Sequence, residues 1–369
     1  MRITSIQLTD FRNYARAELR PCVGVNVLWG NNAQGKTALL ESVVLSCTGR
    51  SHRTPRDREL IRWGCDAGRV LVRAERRDGS HEVEMLLSQL KRKTVKVNGG
   101  ALQRTGELMG HVNGVLFAPE DLRMVKDGPA ERRRFIDMEL SQIRPSYYYA
   151  LQRYAHALMQ RSQLLRDIAQ NPRLADTLED WDGQLARHGA AIMRQRQAFV
   201  AQLSAAAHEN HLEISGGQED LRVRYAPSLD VEGDDLERAL LGALAVARDS
   251  DIRRGVTSVG PHRDDLTLTL SGVDVRVYGS QGQQRTAALS LKLAELDIMR
   301  REIGEPPVLM LDDVMSELDP KRRRHLLGRL NGVQTIVTCT DPSDLAEAEI
   351  GAAWRVQAGE IFPEGGDAA

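Results

Sequence analysis

The chain has 369 residues, 41% of them hydrophobic, with 50 Lys and Arg balanced against 51 Asp and Glu. That length exceeds one ordinary domain and suits two lobes with full cores. No stretch approaches the roughly 20 apolar residues of a membrane span, and Cys22, Cys47, Cys65 and Cys339 lack the Cys-x-x-Cys spacing of a zinc site or disulfide framework. Met1-Arg2-Ile3-Thr4 enters a strand directly, without an apolar signal region, so reduced cytoplasm is the expected setting.

The near-neutral total conceals a split. Residues 1–134 carry 24 Lys and Arg against 15 Asp and Glu, and the remainder 26 against 36. A basic half can follow a phosphate backbone while the acidic half stays away from it. The densest clusters are Arg50, Arg53, Arg56, Arg58 and Arg62, and Lys91-Arg92-Lys93 with Lys96. Ordinary solvated faces produce such clusters too. No helix-turn-helix or zinc-finger pattern accompanies them, so sequence-specific DNA reading is not expected.

In chain order, Ile3–Leu8 and Val25–Trp29 read as strands. Gly30-Asn31-Asn32-Ala33-Gln34-Gly35-Lys36-Thr37 then fits the phosphate-binding pattern G-x-x-x-x-G-K-[ST], between that second strand and a helix over Lys36–Leu45. Glycines at 30 and 35 let consecutive N–H groups face phosphate oxygens, and the helix start adds partial positive charge. Lys36 suits the β- and γ-phosphates of ATP, and the Thr37 hydroxyl suits Mg²⁺. The plain alternative is a chance glycine turn before a helix.

Val70–Glu75, Glu82–Leu87 and Thr94–Val97 alternate as strands, with a turn at Asp78-Gly79-Ser80. From about Ala130 to His211 the pattern is helical, broken at Asn171-Pro172. Two antiparallel helices of about 40 residues would each reach roughly 60 Å; a compact bundle is the alternative. Leu221–Tyr225, Leu266–Leu270 and Val273–Val277 return to strand.

Ser280-Gln281-Gly282-Gln283-Gln284-Arg285 opens a helix running to about Ile303. Ser280 is a good N-cap, Gly282 allows close backbone approach, and the helix start is an anion site; a capping turn alone explains the same residues. Val308-Leu309-Met310-Leu311 suits a buried parallel strand ending in Asp312-Asp313. Asp312 is the natural Mg²⁺ partner, and Asp313 can accept a proton from attacking water. Ser316-Glu317-Leu318-Asp319 precedes a helix over Pro320–Leu330.

In this order the motifs resemble the ATP-binding-cassette superfamily. Ser280-Gln281-Gly282-Gln283 is similar to its signature, which contacts a γ-phosphate held by the partner subunit, and Ser316–Asp319 is similar to its D-loop. Further runs narrow the resemblance: Phe11-Arg12-Asn13-Tyr14, Gly49-Arg50-Ser51-His52-Arg53, Phe117-Ala118-Pro119-Glu120-Asp121-Leu122, Gly128-Pro129 with Arg132–Asp137, and Gly260–Leu266. Across almost the whole chain these resemble the RecF family of bacterial DNA-repair proteins.

The resemblance implies an α/β fold: an ABC-type P-loop ATPase head split by an insertion, with a second α-rich lobe carrying a short antiparallel helical arm. Head residues would be 1–118 and 303–369, and the second lobe 119–302, with its arm at about 130–211. It implies a homodimer held by ATP and Mg²⁺. Gly30 to Thr37 would bind nucleotide with Ser280, Gln281, Gly282 and Gln283; Lys36 and Asp313 would be catalytic; Thr37 and Asp312 would hold the metal. Implied partners are single-stranded, gapped or duplex DNA and recombination mediator proteins, in recombinase loading at gaps, replication and the SOS response, with no membrane. The ATPase would be weak, DNA-stimulated and used as a switch. Two departures from transporter cassettes fit slow turnover: Asp313 stands where those carry Glu, and Thr338-Cys339-Thr340 where they carry a switch histidine. The competing reading is a transporter-type ATPase subunit driving a membrane partner.

Overall fold

Five short strands, four of them mostly buried, build a sheet whose members share one direction. In the computed structural model, which describes residues 1–229, 235–345 and 348–364, Gly114–Phe117, Val308–Asp312, Thr335–Cys339, Val25–Trp29 and Ile350–Gln357 lie side by side in parallel, and Glu360–Glu364 closes the edge as an antiparallel hairpin. Val308–Asp312 and Thr335–Cys339 are buried throughout. Both faces are covered, which is why the segments read as apolar runs rather than alternations. The register pairs Asp312 with Thr338 and Cys339 with Trp29, so the strands end along one edge, where α/β sheets bind ligands.

A second sheet is antiparallel, in the order Tyr14–Leu19, Arg2–Phe11, Ala67–Arg76, Gly79–Ser88, Thr94–Val97, Gly100–Ala101. The helix Lys36–Thr48 touches strands of both sheets and is buried along nearly its whole length. A helix apolar on all sides can only be an interior helix. Gly49, with φ 71°, ends it in the left-handed conformation that favours glycine. Both sheets and this helix contribute to one hydrophobic core. They belong to one compact unit, Met1–Asp121 with Lys292–Ala369.

The second unit, Leu122–Leu291, is mainly helical. Here the structure corrects the expected arm. The first helical stretch is two helices, Pro129–Ile143 and Pro145–Ile168, divided at Arg144. Arg144 is extended, with φ −132° and ψ 94°, because the following proline ring disfavours helical geometry. The main partner of Leu178–Ser215, whose 38 residues span about 57 Å, is therefore a helix of only 24 residues, about 36 Å.

Two further differences appear. Val273–Val277 is strand only over Val273–Asp274; the Asp274 carboxylate accepts from the Arg276 and Val277 N–H groups and caps a helical turn, Val275–Tyr278. Leu236–Arg254, not marked in the sequence, is a helix capped by Asp235 and ended by Gly255 at φ 66°.

Buried charges lock this unit. Arg161 is fully buried and donates to Asp182, Asp251 and Thr257 at 2.6, 2.7 and 2.9 Å, joining three helices. Arg196 donates to Asp137 and to the Pro261 carbonyl. Arg132 holds Asp265 with two bonds, and Arg133 donates to the Asp264 carbonyl. The Arg132–Asp137 and Gly260–Leu266 runs are thus two sides of one polar seam. Removing either side would strand buried charge.

Candidate nucleotide site

Gly30 follows the end of its strand with φ 142°, and a Cβ there would collide with the Val356 carbonyl oxygen. Gly35, at φ 121°, lies over Tyr14; its Cβ would sit 2.7 Å from the Tyr14 hydroxyl. Both positions need glycine for conformation and for space. Between them the loop is held from two directions. Asn13 Nδ2 donates to the Gln34 carbonyl at 2.7 Å, and the Ala358 N–H donates to Gln34 Oε1 at 2.6 Å. Ala358 and Gly359, in the turn of the C-terminal hairpin, were not recognised as site residues; no motif marks them.

The P-loop and Asp312-Asp313 meet at the edge set by the strand register. Thr37 Oγ1 donates to Asp312 Oδ1 at 2.9 Å, and Thr338 Oγ1 donates to the same oxygen at 2.7 Å. Asp313 has φ 53° and donates its N–H to Thr338 Oγ1 at 3.0 Å. Thr338 therefore bridges both aspartates. Its position was noted as the switch position, yet this bridging was not anticipated. Ser316 Oγ donates to the Asp313 carbonyl, tying the following turn to the same place.

Lys36 is almost fully buried, and Nζ donates to the Gly30 and Asn31 carbonyls at 2.5 and 2.9 Å. Burial lowers its pKa, while the nearby Asp313, Cys339 and Asp312 pull it back up. Lys36, Asp312 and Asp313 border a cavity of about 1140 Å³ that continues past the P-loop to Arg12, Arg53, Arg58, Arg62, Trp63 and Gln89. Glu41, buried beneath the arginines, holds Arg12 through two bonds of 2.8 and 2.6 Å and accepts from Ser51 at 2.5 Å.

This placement revises the expected DNA surface. Arg53, Arg58 and Arg62 line the P-loop cavity rather than a separate face. Lys93 is mostly buried, bonded to the Gly49 carbonyl at 2.5 Å and to Asp57 at 2.9 Å. Other basic residues of the first 134 pair across strands or with neighbouring segments: Arg69 and Lys96 with Glu84, Arg73 with Glu82, Arg76 with Glu305. Charge counting does not foresee this, because it is strand pairing that sets Arg73 against Glu82 and Arg69 against Glu84, and Glu305 reaches Arg76 from 229 residues away.

Ser280, Gln281, Gly282 and Gln283 belong to the second unit. The Ser280 N–H donates to Gln283 Oε1 at 2.8 Å, and the Gln283 N–H donates to Ser280 Oγ at 3.2 Å. This is a reciprocal capping box. Gln283 Nε2 also donates to Glu219 at 2.9 Å.

Fold and site together define an ATPase head of the ABC and SMC type, its P-loop and distal aspartates joined across an insertion. Residues 2–359 match the family model described as RecF/RecN/SMC N terminal domain. The DNA replication and repair protein RecF of Agathobacter rectalis is 45% identical over 340 residues, 92% of each chain. That of Acetivibrio thermocellus is 42% identical and covers 98% of this chain and 100% of the relative. A solved structure of the recombination mediator protein RecF-ATP superimposes with TM-score 0.92 at 36% identity, over 98% of this chain and 97% of that one. The Smc head domain of Pyrococcus furiosus, at 15% identity and TM-score 0.57, shares the fold. The chain belongs to the RecF family.

Proposed function

We propose that this protein is an ATP-dependent DNA-binding protein of replication and recombinational repair, in which ATP binding closes a homodimer and slow hydrolysis releases it. One observation carries the reading: Thr37 and Asp312 are bonded at 2.9 Å although they are 275 residues apart in the chain. A hydroxyl and a carboxylate side by side at the P-loop are the hard oxygen donors that Mg²⁺ takes. Bound there, Mg²⁺ would supply charge neutralisation between the β- and γ-phosphates.

The chain's own residues then divide the work. Backbone N–H groups of Gly30 to Thr37 bind the phosphates. Lys36 exchanges its two carbonyl partners for phosphate oxygens and brings its charge with it. Asp313, held by Thr338, accepts a proton from attacking water. Ser280 and the helix start behind it meet the γ-phosphate carried by the second copy. The capping box leaves the Ser280 hydroxyl hydrogen without a role in the cap, so it can donate to that phosphate.

The names of the relatives, DNA replication and repair proteins, and the RecFOR pathway named with the solved relatives support DNA and recombination mediator proteins as partners. No described helix is long and apolar enough to cross a membrane. Sedimentation with and without ATP, for the parent and Lys36→Ala, tests the reading. An ATP-dependent dimer lost in the variant is expected; a dimer indifferent to ATP in both proteins overturns it.

A further inference from the structure

Trp63 is 98% exposed, an outlier for so large an apolar ring, and it borders the cavity that contains the P-loop. It occupies the second position of a tight turn, Arg62–Cys65, closed by the Cys65 N–H donating to the Arg62 carbonyl at 3.0 Å. Gly64 takes the third position with φ 83°, the glycine geometry of a type II turn. The second position accepts most residue types, so the turn itself does not ask for tryptophan. Folding gains almost nothing from a ring left in water. Its place on the border of the P-loop cavity offers it a ligand of that cavity.

The turn is rigidly tied to the phosphate end. The Arg12 N–H donates to the Leu60 carbonyl and the Arg62 N–H to the Asp10 carbonyl, both at 2.8 Å, and Phe11 bridges Ile61. The next residue, Asn13, is the one that holds the Gln34 carbonyl of the P-loop. A single strand end therefore ties the Trp63 turn and the P-loop to each other. Its volume, about 1140 Å³, accommodates a whole nucleoside triphosphate.

We infer that Trp63 is the base platform of this site, stacking on the purine of the nucleotide whose phosphates lie on the P-loop. The inference rests on the nucleotide reading above and adds to it the group that recognises the base. A large flat indole covers a purine better than a pyrimidine, so the platform also sets a preference for ATP over CTP.

Calorimetric titration of the full chain with Mg-ATP, Mg-CTP, inorganic tripolyphosphate and a single-stranded oligodeoxynucleotide tests this. Trp63→Ala should weaken ATP between about five- and 150-fold, the range of base–aromatic stacking. Tripolyphosphate binding should not change, and the ATP-over-CTP preference should shrink. Trp63→Phe should restore most of the ATP affinity. Equal ATP affinity in parent and Trp63→Ala overturns the inference. So does an equal loss for tripolyphosphate, which would make Trp63 structural, or a loss confined to an oligodeoxynucleotide, which would make the platform a DNA contact. Lys36→Ala separates the two readings: if it binds ATP and tripolyphosphate like the parent, the nucleotide site itself is wrong, whatever Trp63 does.

Discussion

The Thr37 hydroxyl and the Asp312 carboxylate share one hydrogen bond of 2.9 Å, and Thr338 donates to the same carboxylate oxygen from the neighbouring strand. One oxygen therefore gathers the P-loop helix, the aspartate strand and the strand between the two. Asp312→Ala removes this junction and the proposed metal ligand together. It should cost at least about tenfold in Mg²⁺-dependent ATP affinity, or ~1.4 kcal/mol, while affinity measured in EDTA changes less. Titration of fluorescent ATP with and without Mg²⁺ checks this; equal losses in both conditions would mean that Asp312 acts only through folding.

Asp313 should separate binding from turnover. Asp313→Asn keeps the backbone N–H bonded to Thr338, so ATP should bind and the dimer should persist. Loss of a positioned base costs about 10²–10⁴ in rate. Thr338→Val should act on the same step more weakly, since the Asp313 N–H loses a side-chain partner but still reaches the Thr338 carbonyl at 3.2 Å. Single-turnover hydrolysis decides it: a parent rate in Asp313→Asn would assign the water to another group.

Glu41 links stability to pH. Burial alone raises its carboxyl pKa, but hydrogen bonds from Arg12 and Ser51, with the Arg12 and His52 charges, outweigh burial and hold it below the ordinary 4.5. A lowered folded value means that the stabilisation is present above pH 4.5 and disappears as the pH falls through the folded value. Glu41→Gln should lose about 1–3 kcal/mol at neutral pH, through buried donors left poorly paired, and the loss should shrink toward acid. Urea unfolding from pH 7 down to pH 3 measures it; a constant difference across that range contradicts the assignment.

How much of this was legible in the sequence depended on whether the signal was local. The P-loop, the Asp312-Asp313 strand end and the Ser280 cap are each written within about eight residues, and each stands where the local pattern placed it. Pro145 is an equally local break, but the helical pattern expected from about Ala130 to His211 runs across it, so the expected arm is too long. The role of Thr338, the hold of Ala358 and Gly359 on Gln34, and the burial of Lys93 arise from contacts between segments far apart in sequence. Val275–Tyr278 misled through β-branched propensity: one Asp274 cap was enough to turn it helical.

The DNA surface is best tested with cations free of the cavity and of ion pairs. Lys93 Nζ on the Gly49 carbonyl sets the exposed Arg50 beside the exposed Lys91 and Arg92. Replacing Arg50, Lys91 and Arg92 together by Ala should lower the slope of log affinity against log salt by up to about three phosphate contacts, near 0.9 each. Binding should weaken alike for unrelated DNA sequences, because phosphate contacts carry no base information. Lys93→Ala alone should leave that slope unchanged and reduce thermal stability. An unaltered slope in the triple variant would place the DNA surface on another face.

Ser280 caps its helix and is proposed to meet a γ-phosphate, and its variants tell the two roles apart. As a cap it is worth about 1 kcal/mol, and Asp can replace it there, since a carboxylate accepts the Gln283 N–H equally well. As a donor to a γ-phosphate on the second copy it cannot be replaced by Asp, whose negative charge would face the phosphate. Ser280→Asp should therefore keep the parent melting temperature and the monomer's ATP affinity, yet fail to dimerise with ATP. Ser280→Ala should lose some stability and dimerise weakly. Sedimentation equilibrium with ATP reads the dimer, and calorimetry reads the fold. An ATP-dependent dimer of parent strength in Ser280→Asp would leave Ser280 as a helix cap alone and move the closing contact to another residue of the second unit.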